Sequence, residues 1–315
     1  MLRKTVSGIT LIALLMGMLA LAFNVQLVKA SPGTIYIRAD GSVVGTTSIH
    51  TADNVTYVFT ANINDSIVVQ RNNIMIDGNG YTLQGTGEPY SKGVDLSGRT
   101  NVTVQNVTIG AFYYGIWLNL SSSNILSGNN IANSAYGIYL GYSSNNTVSG
   151  NNITANSSDG IRLGAYSSNN MISGNNITNN YLSILLSFSS NNTVSGNNIT
   201  NNYNGILLGS SSNNTIYHNN FIDNHQQVSS STSMNVWDAG YPSGGNYWSD
   251  YNGTDANHDG IGDMPYSIDA NNTDRYPLMK SYTIPEFQSL IVLPLLVMAT
   301  VLTAVVYRRK RAQKN

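Results

Sequence analysis

Asn191-Asn-Thr-Val-Ser-Gly-Asn-Asn-Ile-Thr-Asn-Asn202 runs through Tyr203 and Asn204 into Gly205-Ile206-Leu207-Leu208. Variants of this stretch return six times between Asn101 and Asn224, about every 22 to 24 residues. A fixed period of that size marks a repeat architecture. Within each copy two apolar residues stand five apart: Val104 and Ile109, Leu126 and Ile131, Val148 and Ile153, Ile172 and Ile177, Val194 and Ile199, Ile216 and Phe221. Gly115, Gly137, Gly160 and Gly205 follow, each opening an apolar-x-apolar triplet. The period is too short for two packed helices, and Asn, Ser, Thr, Gly, Val and Ile suit short strands between turns. In Gly205–Leu208 the two-residue strand period points Ile206 and Leu208 inward and Leu207 outward. One coil holds too few apolar residues for a core, so coils must stack. The expected fold is all-β: a single-stranded parallel β-helix with coils one strand spacing apart. Low-complexity disorder is the plain alternative, but disorder keeps no apolar register.

The asparagines align as well. Asn129, Asn151, Asn175, Asn197 and Asn219 form one column, and Asn130, Asn152, Asn176, Asn198 and Asn220 the next. Asn145, Asn169, Asn191 and Asn213 form a third. Stacked amides can bond from coil to coil, and Asn tolerates the left-handed backbone of sharp corners.

From about Ser66 to Met279 the chain resembles the NosD-type right-handed β-helix family, also described as carbohydrate-binding and sugar-hydrolysis repeats. Besides the coils, the resemblance rests on the opening Asn73-Ile-Met-Ile-Asp-Gly-Asn-Gly-Tyr-Thr-Leu-Gln-Gly85 and the closing Trp237-Asp-Ala-Gly-Tyr-Pro-Ser-Gly-Gly-Asn-Tyr-Trp-Ser-Asp-Tyr251. It implies the right hand of the helix, and it brings an association with copper delivery for nitrous oxide reductase. Copper sites favour Cys, Met and His. This chain has no Cys, its Met75, Met171, Met234, Met264 and Met279 are isolated, and His50, His218, His225 and His258 are scattered. The copper role therefore does not transfer residue by residue.

Residues 1–30 read as a signal peptide: Arg3 and Lys4, an apolar run from Ile9 to Phe23, and Val28-Lys-Ala30 before Ser31, with an uncleaved anchor as the alternative. An N-terminal cap is expected over 31–65, coils over 66–230 and a C-terminal cap over 231–280. A linker with Pro285-Glu-Phe287 follows over 281–289, then an apolar span over 290–307 and a basic tail over 308–315. The span is long enough for a membrane, and Arg308-Arg-Lys-Arg311 puts the tail in the cytoplasm and the repeats outside. Pro285-Glu-Phe287, span and tail together resemble the PEF-type sorting signals of archaeal surface proteins, which implies a sorting protease as a partner. A permanent anchor is the alternative, and both leave the protein on the cell surface.

The stretch 31–307 carries seven basic and sixteen acidic residues, a net charge of about −9, which argues against nucleic acid as a partner. Between Asn101 and Asn220 only Asp159 and Arg162 are charged, whereas seven acids lie from Asp238 to Asp274.

Two candidate sites follow. Stacking places Tyr114, Trp117, Tyr136, Tyr139, Asp159 and Arg162 on the outer face of successive coils, where ring stacking and hydrogen bonds would hold a polysaccharide. Ordinary strand surface, or cover by an insertion from Gly85 to Gly98, is the alternative. Asp255, Asn257, Asp259 and Asp263, with Gly260 between them, match the first positions of a calcium loop, but Tyr266 stands where the closing Glu belongs. Calcium is the cofactor to expect there, and a solvated Asp-rich turn is the alternative. Trp237, Tyr241, Tyr247, Trp248 and Tyr251 are expected to cap the last coil. Asp159 stands alone where glycosidases need two carboxyl groups. The reading is a tethered structural or adhesive β-helix that binds polysaccharide and has no recognisable catalytic site. A polysaccharide-active lyase or hydrolase and a copper-handling protein are the alternatives.

Overall fold

The computed structural model describes residues 33–283; the signal, span, tail and most of the Pro-Glu-Phe linker lie outside them. Those described residues fold as an all-β, right-handed parallel solenoid of about eight turns, with no helix. Each coil contributes one strand to each of three sheets of ten, nine and eight strands. In one coil Val102–Gln105 enters the nine-stranded sheet, Thr108–Gly110 the eight-stranded sheet and Tyr114–Asn119 the ten-stranded sheet. The register is the one that the repeat predicts: Ile131 pairs with Ile153, Ile153 with Ile177, Ile177 with Ile199, and Ile199 with Phe221.

That column and its partners Val104, Leu126, Val148, Ile172, Val194 and Ile216 are fully buried. So are Ile206 and Leu208, while Leu207 faces out half-covered. The glycines before the triplets sit where coils approach most closely. A Cβ on Gly115 would lie 2.6 Å from the Gly137 carbonyl oxygen and 2.9 Å from Ile131.

The corners are held by polar ladders. Asn175 shows the unit: its Nδ2 donates to Val148 O at 2.9 Å and to Asn197 Oδ1 at 2.9 Å, and its own Oδ1 accepts from Asn151 N at 3.0 Å. Each amide thereby satisfies turn backbone that is shut off from water. The Asn130 column forms a second, outer ladder, with Asn152 Nδ2 donating to Asn130 Oδ1 at 2.8 Å. The third expected column shifts by one residue. Asn145, Asn169, Asn191 and Asn213 take the left-handed corner (φ 56 to 60) and face solvent. The buried ladder runs through their neighbours Asn146, Asn170, Asn192 and Asn214. Two more ladders, Asn156–Asn180–Asn202–Asn224 and the serines from Ser121 to Ser233, complete the corners.

The stack starts before residue 66. Ile35–Ile37 pairs in parallel with Ile67–Val69, and Thr56–Phe59 with the strand Ile74–Asp77. Val43–Val44 and Ile49–His50 add antiparallel strands that end the sheets on this side. Such strands protect an edge that would otherwise pair with another chain.

Candidate functional site

Five of the six residues expected on the outer face are partly exposed there, and the sixth, Asp159, lies in the same column but is buried. Strand register puts Tyr114 beside Tyr136 and Tyr136 beside Asp159 in one column; Trp117, Tyr139 and Arg162 form the next. Inward residues on both sides of Trp117, Tyr139 and Arg162, such as Ile116 and Leu118 around Trp117, fix these three side chains outward. Trp117 and Tyr139 stack at 4.3 Å and 9°, and Tyr114 and Tyr136 at 5.1 Å and 22°. Tyr113 joins them, 4.8 Å from Tyr114.

The segment from Gly85 to Gly98 does not cover this face. Its strand Lys92–Asp95 lies in the same sheet, one coil before Trp117. Tyr90 rises from it to 5.2 Å from Tyr113, and Ser97 Oγ accepts from Trp117 Nε1 at 3.1 Å. Lys92 instead closes the ring stack at one end: its Nζ lies 4.8 Å over Trp117 and bonds Asp95 at 2.7 Å. Arg162 closes the other, 5.5 Å over Tyr136. The rings therefore spend faces on one another and on two cations, and remain partly exposed. This differs from the expected sugar-on-ring stacking, because rings one coil apart meet each other first. Burial pushes the Tyr114 hydroxyl up to about 12, so it stays protonated and able to donate.

Asp159 is almost fully buried beneath this surface. Arg162 Nη1 bonds it at 3.3 Å and Ser158 Oγ at 2.9 Å. Burial raises its carboxyl above the ordinary 3.8, against the pull of Ser158 and Arg162. The other carboxyl on this face, Asp95, is three coils away by strand register, about 14 Å. Paired glycosidase carboxyls lie within about 10 Å of each other, so these two do not form such a pair. Farther along, Leu182 and Leu185 continue the columns, nearly buried.

The acidic cluster lies in the cap. Trp248 stacks on Phe221 at 4.3 Å and on Tyr266 at 4.2 Å, with Trp237 beside it at 6.0 Å, so the two expected tryptophans close the last coil, whereas Tyr241 stays 62% exposed. In the Asp-rich loop the carboxylates turn onto the loop's own backbone. Asp255 accepts from Asp259 N at 3.1 Å and Gly260 N at 3.0 Å, Asp259 accepts from Ile261 N at 2.9 Å, and Asp263 from Ala256 N at 2.9 Å. Asn257 donates to Asp259 at 2.9 Å. Among the described residues no three of His, Cys, Asp and Glu are grouped to hold a metal ion. Nor do the histidines gather for copper: His218 stacks on Tyr282 at 4.2 Å and His225 on Tyr203 at 4.6 Å.

Sequence reading missed Asp274, the most consequential acid of the cap. It is fully buried and ends the main asparagine ladder: Asn219 N donates to Asn246 Oδ1 at 3.0 Å, and Asn246 N to Asp274 Oδ2 at 2.7 Å. Trp248 Nε1 also donates to it at 2.9 Å. Burial pushes the Asp274 carboxyl up to about 6. A second buried acid, Asp238, is gripped by Arg275 at 2.7 and 2.9 Å. Burial alone would raise Asp238; the bonds from Arg275 hold it below the ordinary value.

These features define a class: a parallel β-solenoid stapled by buried Asn and Ser ladders, with an aromatic face and an aromatic cap. The family model described as "Periplasmic copper-binding protein (NosD)" matches residues 31–253, and the chain belongs to that family. The family's periplasmic description agrees with the expected extracytoplasmic placement. No curated protein matches. Among solved structures, the chain is similar to a mutant of the periplasmic alginate epimerase AlgG, at 19% identity and a TM-score of 0.43, over 59% of this chain and 53% of that one. It thus spans about half the length of the epimerase. It is also similar to the Dettilon tailspike protein, at 15% identity and a TM-score of 0.41, over 69% and 57% of the two chains. An alginate lyase from Paenibacillus sp. str. FPU-7 aligns at 14% identity and a TM-score of 0.34, over 61% and 97%.

Proposed function

We propose that this protein is a surface-held, non-catalytic β-helix whose ten-stranded face binds an extended polysaccharide. The observation that carries the proposal is the make-up of that face. Partly exposed aromatic side chains stand together on adjacent coils, at Tyr113, Tyr114, Trp117, Tyr136 and Tyr139. The one carboxylate of those coils, Asp159, is buried and paired. Such a face offers hydrogen bonds and aromatic surface to a hydroxyl-rich chain, without a pair of carboxyl groups to cut it. The signal, span and basic tail read from the sequence supply the tether, with a sorting protease acting at Pro285-Glu-Phe287.

The test is affinity electrophoresis of the purified protein through gels containing neutral or acidic polysaccharides. Retardation by at least one of them is expected, and the Trp117→Ala/Tyr139→Ala variant should lose most of it. Asp159→Asn should keep it. Equal retardation of wild type and double variant would remove the face from the account. One observation favours a second reading as an enzyme: the raised Asp159 carboxyl next to Arg162. A product assay separates the two, because only an enzyme creates new chain ends.

A further inference from the structure

Fourteen Asn-x-Ser/Thr sequons occur in the chain, and their surroundings differ sharply. Asn156 is buried in a corner ladder. Asn152, Asn176 and Asn198 face outward, but their amides are bonded into the outer ladder at 2.8 to 2.9 Å. Asn101 and Asn106 donate to Asn73 and Asp77. Outside the coils Asn54, Asn64, Asn252 and Asn271 are exposed; at the coil corners Asn145, Asn191 and Asn213 stand apart from the ladder asparagines. All three are exposed, at the same corner of their coils, with φ of 59 to 60. Their side-chain amides make no hydrogen bond to other described residues, and Thr147, Thr193 and Thr215 occupy outward strand positions two residues on.

A second observation lies alongside. Tyr142, Tyr166 and Phe188 are 55%, 69% and 56% exposed and sit at the corner three residues before Asn145, Asn169 and Asn191. Their backbone is left-handed, with φ of 49, 61 and 50. A side-chain-bearing residue loses about 1–2 kcal/mol there, and Ser210 and Thr232 hold the same corner in the next two coils with φ of 51 and 50. Folding therefore does not require a ring at this position, and solubility disfavours one. The rings lie 6.2 and 6.4 Å apart and are tilted by 38° and 46°. Unlike Trp117 and Tyr139, they are not stacked against each other and leave ring faces open. The strip begins beside one free sequon asparagine and ends beside another.

We propose that Asn145, Asn191 and Asn213 carry N-linked glycans, and that the sugars on Asn145 and Asn191 lie along the Tyr142–Tyr166–Phe188 strip. The donor is a sugar linked through C1 to a lipid phosphate. The asparagine amide nitrogen forms the new bond to C1, the C1–O bond to phosphate breaks, and the amide loses one proton. The sugar's C–H face then covers exposed aromatic surface. This inference rests on the extracytoplasmic placement of the coils and not on the polysaccharide-binding reading.

The test is glycopeptide mass spectrometry on full-length protein purified from the cells that naturally make it. Sugar mass is expected on the peptides with Asn145, Asn191 and Asn213, and none on those with Asn152, Asn156, Asn176 and Asn198. Thr147→Ala, Thr193→Ala and Thr215→Ala should each remove one modification. Tyr142→Ser and Phe188→Ser should lower occupancy of the neighbouring Asn145 and Asn191 at least twofold. Asn213, which has Ser210 at the ring position, should be unchanged. Bare peptides at the three asparagines, or sugar on the outer-ladder asparagines instead, would overturn the site assignment. Unchanged occupancy in the ring variants would overturn the strip's role. The wild-type measurement needs no variant to fold.

Discussion

The coils and the cap handle buried polar groups differently. In the coils each asparagine of the main buried ladder is neutral, donates twice or more, and is copied in the next turn, as Asn175 is by Asn197. In the cap the same column passes through Asn246 and ends on Asp274, an acid that accepts at least three bonds and has no copy. A neutral ladder can extend indefinitely because each amide is both donor and acceptor. A carboxylate can only accept, so it stops the series, and burial makes its charge costly. The buried ladders of the coils should therefore be insensitive to pH, leaving Asp159 as their one buried acid, and the cap sensitive to it through Asp274.

The largest effects come from breaking the coil interior. Ile177→Asp would place a charge at a fully buried position and should prevent the stack from folding, seen as loss of the far-ultraviolet β signal. Asn175→Ala should cost about 3 kcal/mol, because it orphans the Val148 carbonyl and the Asn151 amide away from water. A melting temperature within a degree or two of wild type would mean that water replaces the ladder.

The cap comes next, through Asp274. A carboxyl raised to about 6 in the folded state, from an ordinary 3.8, holds its proton more tightly when folded. Its protonation therefore favours folding. That contribution is largest below about pH 4, falls as pH rises through about 6, and is gone above it, a swing of roughly 3 kcal/mol. Melting should accordingly be higher at pH 5 than at pH 7.5, and Asp274→Asn should flatten the difference. An unchanged pH slope in that variant would assign it to another group.

Smaller effects belong to the surfaces. Truncating Trp117 and Tyr139 removes one stacked pair, worth about 1 kcal/mol beyond the lost buried area, and should reduce polysaccharide retention far more than it reduces stability. Calcium should matter least. With Asp255, Asp259 and Asp263 already bonded to backbone amides, millimolar calcium should stabilise by less than about 0.5 kcal/mol, as for an ion near its Kd. A calcium shift of several degrees that disappears in Asp259→Ala would restore the loop as an ion site.

The same contrast explains what the sequence made legible. Ile131, Ile153 and Ile177 repeat at one spacing, so stacking, register and inward direction all follow from a single rule. The outer face followed too, since Trp117 and Tyr139 alternate with buried Ile and Leu. The mutual stacking of the rings was harder to foresee, because their rotamers depend on Lys92 and Arg162 one coil to either side. The shift from Asn145 to Asn146 was hidden because both positions are asparagine and only the backbone φ separates them. The cap has no repeat to average over. Asp274 looks like any acid in its cluster until Asn246 and Trp248, 28 and 26 residues earlier, are brought against it. The one hint was the even hydrogen-bonding column, which needed a terminus of some kind.

The central claim is that the ten-stranded face holds a polysaccharide chain without cutting it. The most direct measurement is size-exclusion chromatography of full-length protein after prolonged incubation with neutral and acidic polysaccharides, with chain length and reducing ends quantified. The account predicts co-elution with at least one polymer, unchanged chain length and no new ends, lost in Trp117→Ala/Tyr139→Ala. Shortened chains or new ends that vanish in Asp159→Asn would contradict it and make the face an active site.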